Sequence, residues 1–156
     1  MLSLPKGVVD RIRKKAREAG VTPEEYLVEL VSQGLDPEEK AREYVETAEE
    51  LVKVAAEELE RGNLRQASEK IWGAAALAVK AHAYAKEGRR LASRKELWDY
   101  EKELARKLGK WVDDAWYRAN GMHVNFYEGW ASKEHVEDSL KHVQKLVRAI
   151  AKELGS

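Results

Sequence analysis

The sequence contains no cysteine, only three prolines and no long run of apolar residues. Without cysteine the chain has no disulfide, no thiolate metal site and no cysteine nucleophile. No apolar segment approaches the roughly 18 residues that a transmembrane helix needs, and the N-terminus has no signal-peptide core, so we expect a soluble cytoplasmic protein without membrane contact. Lys plus Arg and Asp plus Glu both total 28, which gives zero formal net charge. A nucleic-acid-binding surface would therefore be local.

Helix-start signals divide the sequence into seven segments. Thr22 and Asp36 each place a capping oxygen directly before a proline, and Ser93 begins a third capping motif with a glutamate three residues later. Between these signals the apolar residues recur every three or four positions, which indicates helices. We predict them at residues 6–19, 23–33, 37–61, 64–87, 94–108, 110–128 and 133–154.

Residues 36–156 are predicted to form an all-α domain, an up-down bundle of four to five helices. The segments at 37–61 and 64–87 are separated by a short turn. The second of them contains the alanine-rich stretch 74–79, so the two helices are expected to pack closely as an antiparallel hairpin.

Residues 1–35 are predicted to be a separate helix-turn-helix appendage. They weakly resemble ribbon-helix-helix proteins, in which a strand from each of two chains enters the DNA major groove. That resemblance implies DNA binding. The alternative is two helices that only pack on each other, because the stretch before the first helix is too short to present many side chains to bases.

A basic stretch occupies residues 80–95, where six cations stand against the single acid Glu87. Cations near the C-terminus of a helix are favoured by its dipole, so solvated helix ends are one interpretation. The other is a rim of cations that contacts phosphate, with Arg89 and Arg90 as its substrate-binding residues. The sequence leaves both open.

Residues 116–130 hold the densest cluster of aromatic and hydrogen-bonding side chains, and within it Arg118 precedes His123 with four residues between them. Cleaving RNA without a metal needs a base for the 2′-hydroxyl proton and a cation for the charge that develops on the phosphorus oxygens. Histidine and arginine can supply the two. On an ideal helix, side chains five residues apart diverge by roughly 140°. We therefore expect a composite site between two chains, assisted by helix deformation at Gly121.

Three further residues are candidates for substrate binding. Asn120 and Asn125 would orient His123 or contact phosphate and ribose, unless they bond to local backbone around a helix interruption at Gly121. Tyr127 would stack on a base. Its aromatic neighbours are candidates either for stacking or for the core, namely Trp116, Tyr117, Phe126 and Trp130.

A structural alternative is that Arg118 anchors a helix end while His123 is a satisfied interior histidine. The carboxylate partner of Arg118 would then be Asp113, Asp114 or Glu128. His135 and His142 lie two helical turns apart, about 10 Å, which is too far to share one zinc ion directly. We expect neither a metal nor a cofactor.

Two blocks of sequence carry a resemblance to a known family. They are residues 62–76 (GNLRQASEKIWGAAA) and 122–129 (MHVNFYEG). Through them the chain from about residue 36 onward is similar to the archaeal PaREP family, whose architecture looks like that of the HEPN (higher eukaryotes and prokaryotes nucleotide-binding) superfamily.

HEPN proteins are compact helical bundles that often dimerise, and many are metal-independent ribonucleases with the motif arginine, four to six residues, histidine. Arg118 and His123 match this motif, whereas Ala119 stands where active members usually have a polar residue, and Tyr127 follows the histidine later than is common. The resemblance implies a homodimer that binds RNA or a nucleotide, an endoribonuclease activity, and a nucleotidyltransferase-type antitoxin as partner. The alternative is a non-catalytic module that binds a nucleotide or a partner protein.

Overall fold

The computed structural model describes residues 2–155, and over that range it contains seven α-helices and no strand. The helices are α1 (Lys6–Ala19), α2 (Pro23–Val31), α3 (Pro37–Glu60), α4 (Leu64–Glu87), α5 (Arg94–Leu108), α6 (Trp111–Glu128) and α7 (Lys133–Glu153). The predicted all-α fold is confirmed, and every helix ends within two residues of its predicted limits. Met1 and Ser156, the outer limits of the two predicted domains, lie outside the described residues.

Side-chain caps determine where several helices begin. Thr22 Oγ1 accepts a hydrogen bond from the Glu25 amide, and the Glu25 carboxylate accepts one from the Thr22 amide. Ser93 and Glu96 form the same reciprocal box at the start of α5. Asp36 accepts a bond from the third residue of α3. Each bond spans three residues, so the local sequence alone specifies it.

Helices α3, α4, α6 and α7 pack as a four-helix bundle, and α5 lies against α6 and α4. The central helix is α4, of whose 24 residues fifteen are buried. Its run of alanines from Ala74 to Ala78, broken only by Leu77, allows the neighbouring helices to approach closely. The antiparallel α3–α4 hairpin is formed as predicted.

The α1–α2 hairpin lies against α3 and α4 through α2. Within it Ala16 and Val28 are the buried apolar side chains among the described residues before Asp36. Three ion pairs join it to the bundle, Glu24–Lys70 at 2.7 Å, Glu25–Lys80 at 3.0 Å and Glu29–Arg90 at 2.6 Å. The hairpin is therefore attached mainly through polar contacts.

One close packing contact accompanies these ion pairs. The Thr22 side chain, which caps α2, lies directly against Gly73 of α4. A Cβ atom placed at Gly73 would lie 3.3 Å from Thr22 Oγ1 and 3.2 Å from Leu51 Cδ1. Glycine at this position allows the approach without displacing either neighbour.

Residues 2–5 precede α1 without regular secondary structure, and Leu2 and Leu4 are exposed. In ribbon-helix-helix proteins the strand pairs with a second chain. DNA binding by the hairpin therefore stays a prediction. Within residues 2–155 no helix is both long and apolar enough to cross a membrane.

Candidate functional site

Helix α6 carries five of the predicted site residues and is continuous from Trp111 to Glu128. Gly121 lies inside the helix and faces open space, since a Cβ atom there would meet nothing within 4 Å. The expectation that α6 deforms or is interrupted at Gly121 is wrong. Arg118 and His123 consequently lie on a regular helix, and their side chains diverge as the helical repeat requires.

Arg118 lies on the side of α6 that faces α7. Its guanidinium donates a hydrogen bond to the Asp138 carboxylate. Both side chains are close to half exposed, 44% for Arg118 and 49% for Asp138, so water screens the pair. The partner is on a different helix and is not one of the acids suggested by sequence spacing, Asp113, Asp114 and Glu128.

His123 lies on another side of α6 and faces α4. Its ring centroid is 5.0 Å from that of Trp72, and it meets the Tyr127 ring edge-on at 5.7 Å. The side chain is half-buried. Burial, followed by the positive charge of Arg94, lowers the pKa of His123, so the imidazole is neutral at pH 7.

Arg94, the first residue of α5, provides the cation that acts on His123. Its Nη2 donates a hydrogen bond to Asn120 Oδ1 at 3.3 Å, and the side chain is exposed. Sequence reasoning counted Arg94 in the basic stretch but did not place it beside His123. The Ser93 cap predicts the start of α5, whereas the packing of α5 on α6 decides what that start faces.

Asn125 is buried and has a structural role. Its Nδ2 donates to Ser68 Oγ at 2.8 Å, and its Oδ1 accepts from the Ala131 amide at 2.7 Å. Asn125 is only 1% exposed, so its side-chain amide cannot contact a ligand. Its burial contradicts the prediction that Asn125 binds substrate. It instead ties α6 to α4 and to the turn before α7.

Tyr127 lies at the end of α6 and is 61% exposed. Its carbonyl oxygen accepts a hydrogen bond from Arg65 Nη2 at 3.2 Å. Gly129, which follows with φ +66°, lies so close that a Cβ atom there would be 2.5 Å from the same nitrogen. The positive φ favours glycine at this position, and a Cβ atom there would also displace the Arg65 guanidinium. The Tyr127 ring remains available to solvent.

Arg89 and Arg90 contact different partners. Arg90 pairs with Glu29 of α2 at 2.6 Å. Arg89 lies 5.7 Å above the Tyr100 ring and pairs with Glu87 at 3.4 Å. None of these contacts involves a residue of α6, and the role of Arg89 and Arg90 in substrate binding stays a prediction.

We use the name His123 face for Trp72, Arg94, Asn120, His123 and Tyr127. Two depressions border it. One has a volume of about 150 Å³ and includes Trp72 and Arg94, and the other has about 300 Å³ and includes Tyr127. Val21, in the turn of the α1–α2 hairpin, lines both of them. The hairpin thus forms one wall beside the His123 face, and its residues Arg13 and Arg17 add positive charge there.

The model of the archaeal PaREP1/PaREP8 family matches residues 43–147, from within α3 to within α7. The chain belongs to this family. The matched region includes the His123 face and leaves out the α1–α2 hairpin of this PaREP-family chain.

A similar solved structure is the crystal structure of a protein from Sulfolobus solfataricus, which is 27% identical in sequence with a TM-score of 0.62. The likeness covers 69% of the present chain and 96% of the other. No curated protein matches the chain. The family and the Sulfolobus structure support the helical fold, and neither names a ligand or a reaction.

Proposed function

We propose that this PaREP-family protein binds RNA or a nucleotide at the His123 face. The observation that carries the proposal is the grouping of a neutral, half-buried imidazole with the Arg94 guanidinium and the exposed Tyr127 ring. A guanidinium matches two oxygens of a phosphate group, and an exposed aromatic ring can stack on a base. Asn120 holds Arg94 and adds hydrogen-bonding capacity beside it.

The sharper proposal is that a homodimer cleaves RNA without a metal. His123 would take the proton of the ribose 2′-hydroxyl, the 2′-oxygen would attack phosphorus, and the bond from phosphorus to the 5′-oxygen would break as the 2′,3′-cyclic phosphate forms. The leaving 5′-oxygen would take a proton from water, and the proton on His123 would return to solvent. An arginine would stabilise the negative charge on the phosphoryl oxygens. Because Arg118 of the same chain faces α7, we assign that role to Arg118 of a second copy.

Two features support an exchange of Arg118 between partners. Its pair with Asp138 is solvent-exposed, so little free energy holds it in place. The resemblance to HEPN proteins, whose arginine and histidine motif Arg118 and His123 match, also favours a site between two chains. A nucleotidyltransferase-type partner protein remains a prediction from that resemblance alone.

Binding is tested with a fluorescent single-stranded RNA and, in parallel, a fluorescent nucleotide, both in EDTA at low salt. Arg94→Gln is expected to weaken binding roughly tenfold, because it removes a charged phosphate contact. Lys53→Gln is the matched control, since Lys53 is 71% exposed and lies on α3, which does not contact α6. Equal affinity of Arg94→Gln and the parent protein for both ligands would contradict the proposed binding surface.

Cleavage is tested by mixing two inactive variants. Arg118→Ala and His123→Ala are each expected to be inactive when alone and folded. If each site takes Arg118 from one chain and His123 from the other, random reassortment restores one site in half of the dimers, or about a quarter of the parent activity. Recovery after mixing would establish a shared site. Binding without any cleavage by the parent protein would leave a non-catalytic binding module.

A further inference from the structure

Helix α1 carries an excess of positive charge in a chain whose formal net charge is zero. Its fourteen residues include six cations and only two acids, Asp10 and Glu18. No ion pair among residues 2–155 involves a side chain of α1. The dipole of α1 favours cations only in its last turn, so it accounts for Arg17 alone. All six cations are exposed, namely Lys6, Arg11, Arg13, Lys14, Lys15 and Arg17.

The acids of the neighbouring helix do not neutralise this charge. Helix α2 has three acids, Glu24, Glu25 and Glu29, and each of them pairs with a cation outside the hairpin. Among the seven described helices, α1 packs closely only on α2. The hairpin is therefore polarised, with its paired acids toward the bundle and its exposed cations on α1.

The depression of about 300 Å³ beside Tyr127 shows what two of these cations face. Arg13 and Arg17, which are one helical turn apart, line it from α1, and Tyr127 lines it from the end of α6. The acid Glu69 of α4 also lines the depression, and its carboxylate lies 3.4 Å from the Lys70 ammonium. Two exposed guanidinium groups thus border the same depression as an exposed aromatic ring.

Arg65 of α4 adds a third guanidinium beside Tyr127. The side chain is exposed, and it donates to the Tyr127 carbonyl oxygen at 3.2 Å. A guanidinium has five N–H donors, so this bond leaves others for a ligand. Arg65 forms no ion pair within residues 2–155, and the acid next to Tyr127, Glu128, does not line the depression.

Tyr127 belongs both to this depression and to the His123 face, so one bound strand can contact the two. We propose that α1 and Arg65 bind the phosphate backbone of a single-stranded RNA that extends from the His123 face past Tyr127. The inference rests on the proposed function and narrows its ligand to an RNA strand of several nucleotides. A mononucleotide would not reach α1.

Three properties of this surface match a single strand. Helix α1 is roughly 20 Å long, which is enough for several consecutive phosphates. Proteins that bind single strands without sequence preference combine a positively charged groove with aromatic side chains on which bases stack. An exposed ring such as Tyr127 can stack on a base only where that base is not held in a duplex.

The experiment measures binding to the full chain in EDTA over a series of salt concentrations. The ligands are a fluorescent single-stranded RNA of about twelve nucleotides and fluorescent adenosine monophosphate. The double variant Arg13→Gln/Arg17→Gln is expected to weaken RNA binding roughly tenfold, because it removes two charged phosphate contacts. The slope of log Kd against log salt should fall by about 1.4, since each contact to a single strand contributes about 0.7. The affinity for adenosine monophosphate should stay unchanged.

Arg11→Gln/Lys15→Gln is the matched control. It removes the same charge from the same helix, but Arg11 and Lys15 lie on the other side of α1 and do not line the depression. Circular dichroism checks that both double variants keep the helical fold. The control is expected to weaken RNA binding by less than about threefold. Equal weakening by the two double variants would mean a general charge effect and would overturn the proposed path.

The outcomes separate this inference from the proposed function. RNA binding that is weakened by Arg94→Gln but not by Arg13→Gln/Arg17→Gln would overturn the role of α1 and leave the His123 face as the binding site. Failure of the parent protein to bind either ligand would overturn both proposals. Tighter binding of duplex DNA than of single-stranded RNA of the same length would assign α1 to a duplex and overturn the single-strand proposal.

Discussion

The bundle and the α1–α2 hairpin are held in place by different forces. Helix α4 buries fifteen of its 24 residues, most of them apolar, whereas the hairpin relies on the three ion pairs made by Glu24, Glu25 and Glu29. Apolar burial depends little on ionic strength, and salt weakens exposed ion pairs more than buried ones. Of the three pairs, Glu29–Arg90 is the most exposed, so it is the one that salt weakens most, whereas the pairs of Glu24 and Glu25 are largely buried. The hairpin borders the His123 face, so loss of these pairs would change one wall of that face.

The largest effect on stability is expected from Trp116→Ala, which removes a core side chain of the bundle. Trp116 is fully buried and packs against Trp72 and Trp98, with ring centroids 5.1 Å and 5.7 Å away. The substitution leaves a large cavity and should lower the free energy of unfolding by roughly 3–5 kcal/mol. Urea denaturation measures it, with the half-exposed Trp130→Ala as the control. A loss below about 1 kcal/mol would show that this region is not core.

Lys80→Met removes an ion pair between the bundle and the hairpin. We expect it to have the second largest effect on stability. It leaves the Glu25 carboxylate, which is 4% exposed, without its cation. We expect destabilisation of roughly 2–4 kcal/mol, confined to the docking of the hairpin. Amide hydrogen exchange should show faster exchange in α1 and α2 with little change in α4. Equal loss of protection in all helices would mean that the hairpin and the bundle unfold as one unit.

Glu101→Gln tests whether a buried carboxyl stabilises the bundle as the ion pairs stabilise the hairpin. Glu101 is completely buried, and burial raises its pKa from 4.5 to about 8. Its proton also lets it donate to the Asp113 carboxylate, whose pKa is lowered. The folded state thus binds this proton more tightly than the unfolded state does. The stabilisation that the bound proton of Glu101 gives to the folded state is complete below pH 4.5 and is lost as the pH rises to about 8.

The glutamine variant cannot ionise and keeps a donor for Asp113. Between pH 5 and pH 9 the parent protein should therefore lose roughly 1–3 kcal/mol more stability than Glu101→Gln does. Denaturation at both pH values measures the difference, with the exposed Glu46→Gln as the control. Parallel pH profiles of the parent and Glu101→Gln would contradict the raised pKa of Glu101.

Asp138→Asn should have the smallest effect. It removes the partner of Arg118, but both side chains are close to half exposed, so the stability should change by less than about 0.5 kcal/mol. Asp99→Asn, in the exposed Lys95–Asp99 pair, is the control. A loss above about 1 kcal/mol would show that Arg118 is a structural anchor and would weaken its assignment to a phosphate.

The sequence predicts the helices well because their start signals are local. Thr22 and Asp36 bond to amides only three residues later, and a short turn between α3 and α4 leaves an antiparallel hairpin as the natural packing. These interactions need no knowledge of the rest of the chain. The same holds for the all-α class of the fold and for the family resemblance.

The candidate site was only partly predictable because its contacts join distant segments. Asn125 has the residue type of a ligand-binding side chain, yet its bond to Ser68 on α4 removes it from the surface. Arg118 meets Asp138 and Arg94 meets Asn120 only after α7 and α5 have packed on α6. Spacing along one helix shows which side chains diverge, but the packing of neighbouring helices decides what each of them faces.

The contact between Thr22 and Gly73 has a consequence for synthesis on the ribosome. Thr22 and Glu25 can complete their capping box as soon as α2 has left the exit tunnel, since that box is local. The surface that receives Thr22 does not exist until Gly73, which follows the end of α2 by 42 residues, has also left the tunnel, and at typical rates this takes roughly 2–8 s longer. For those seconds the α1–α2 segment lacks its binding surface, and its apolar residues are within reach of chaperones.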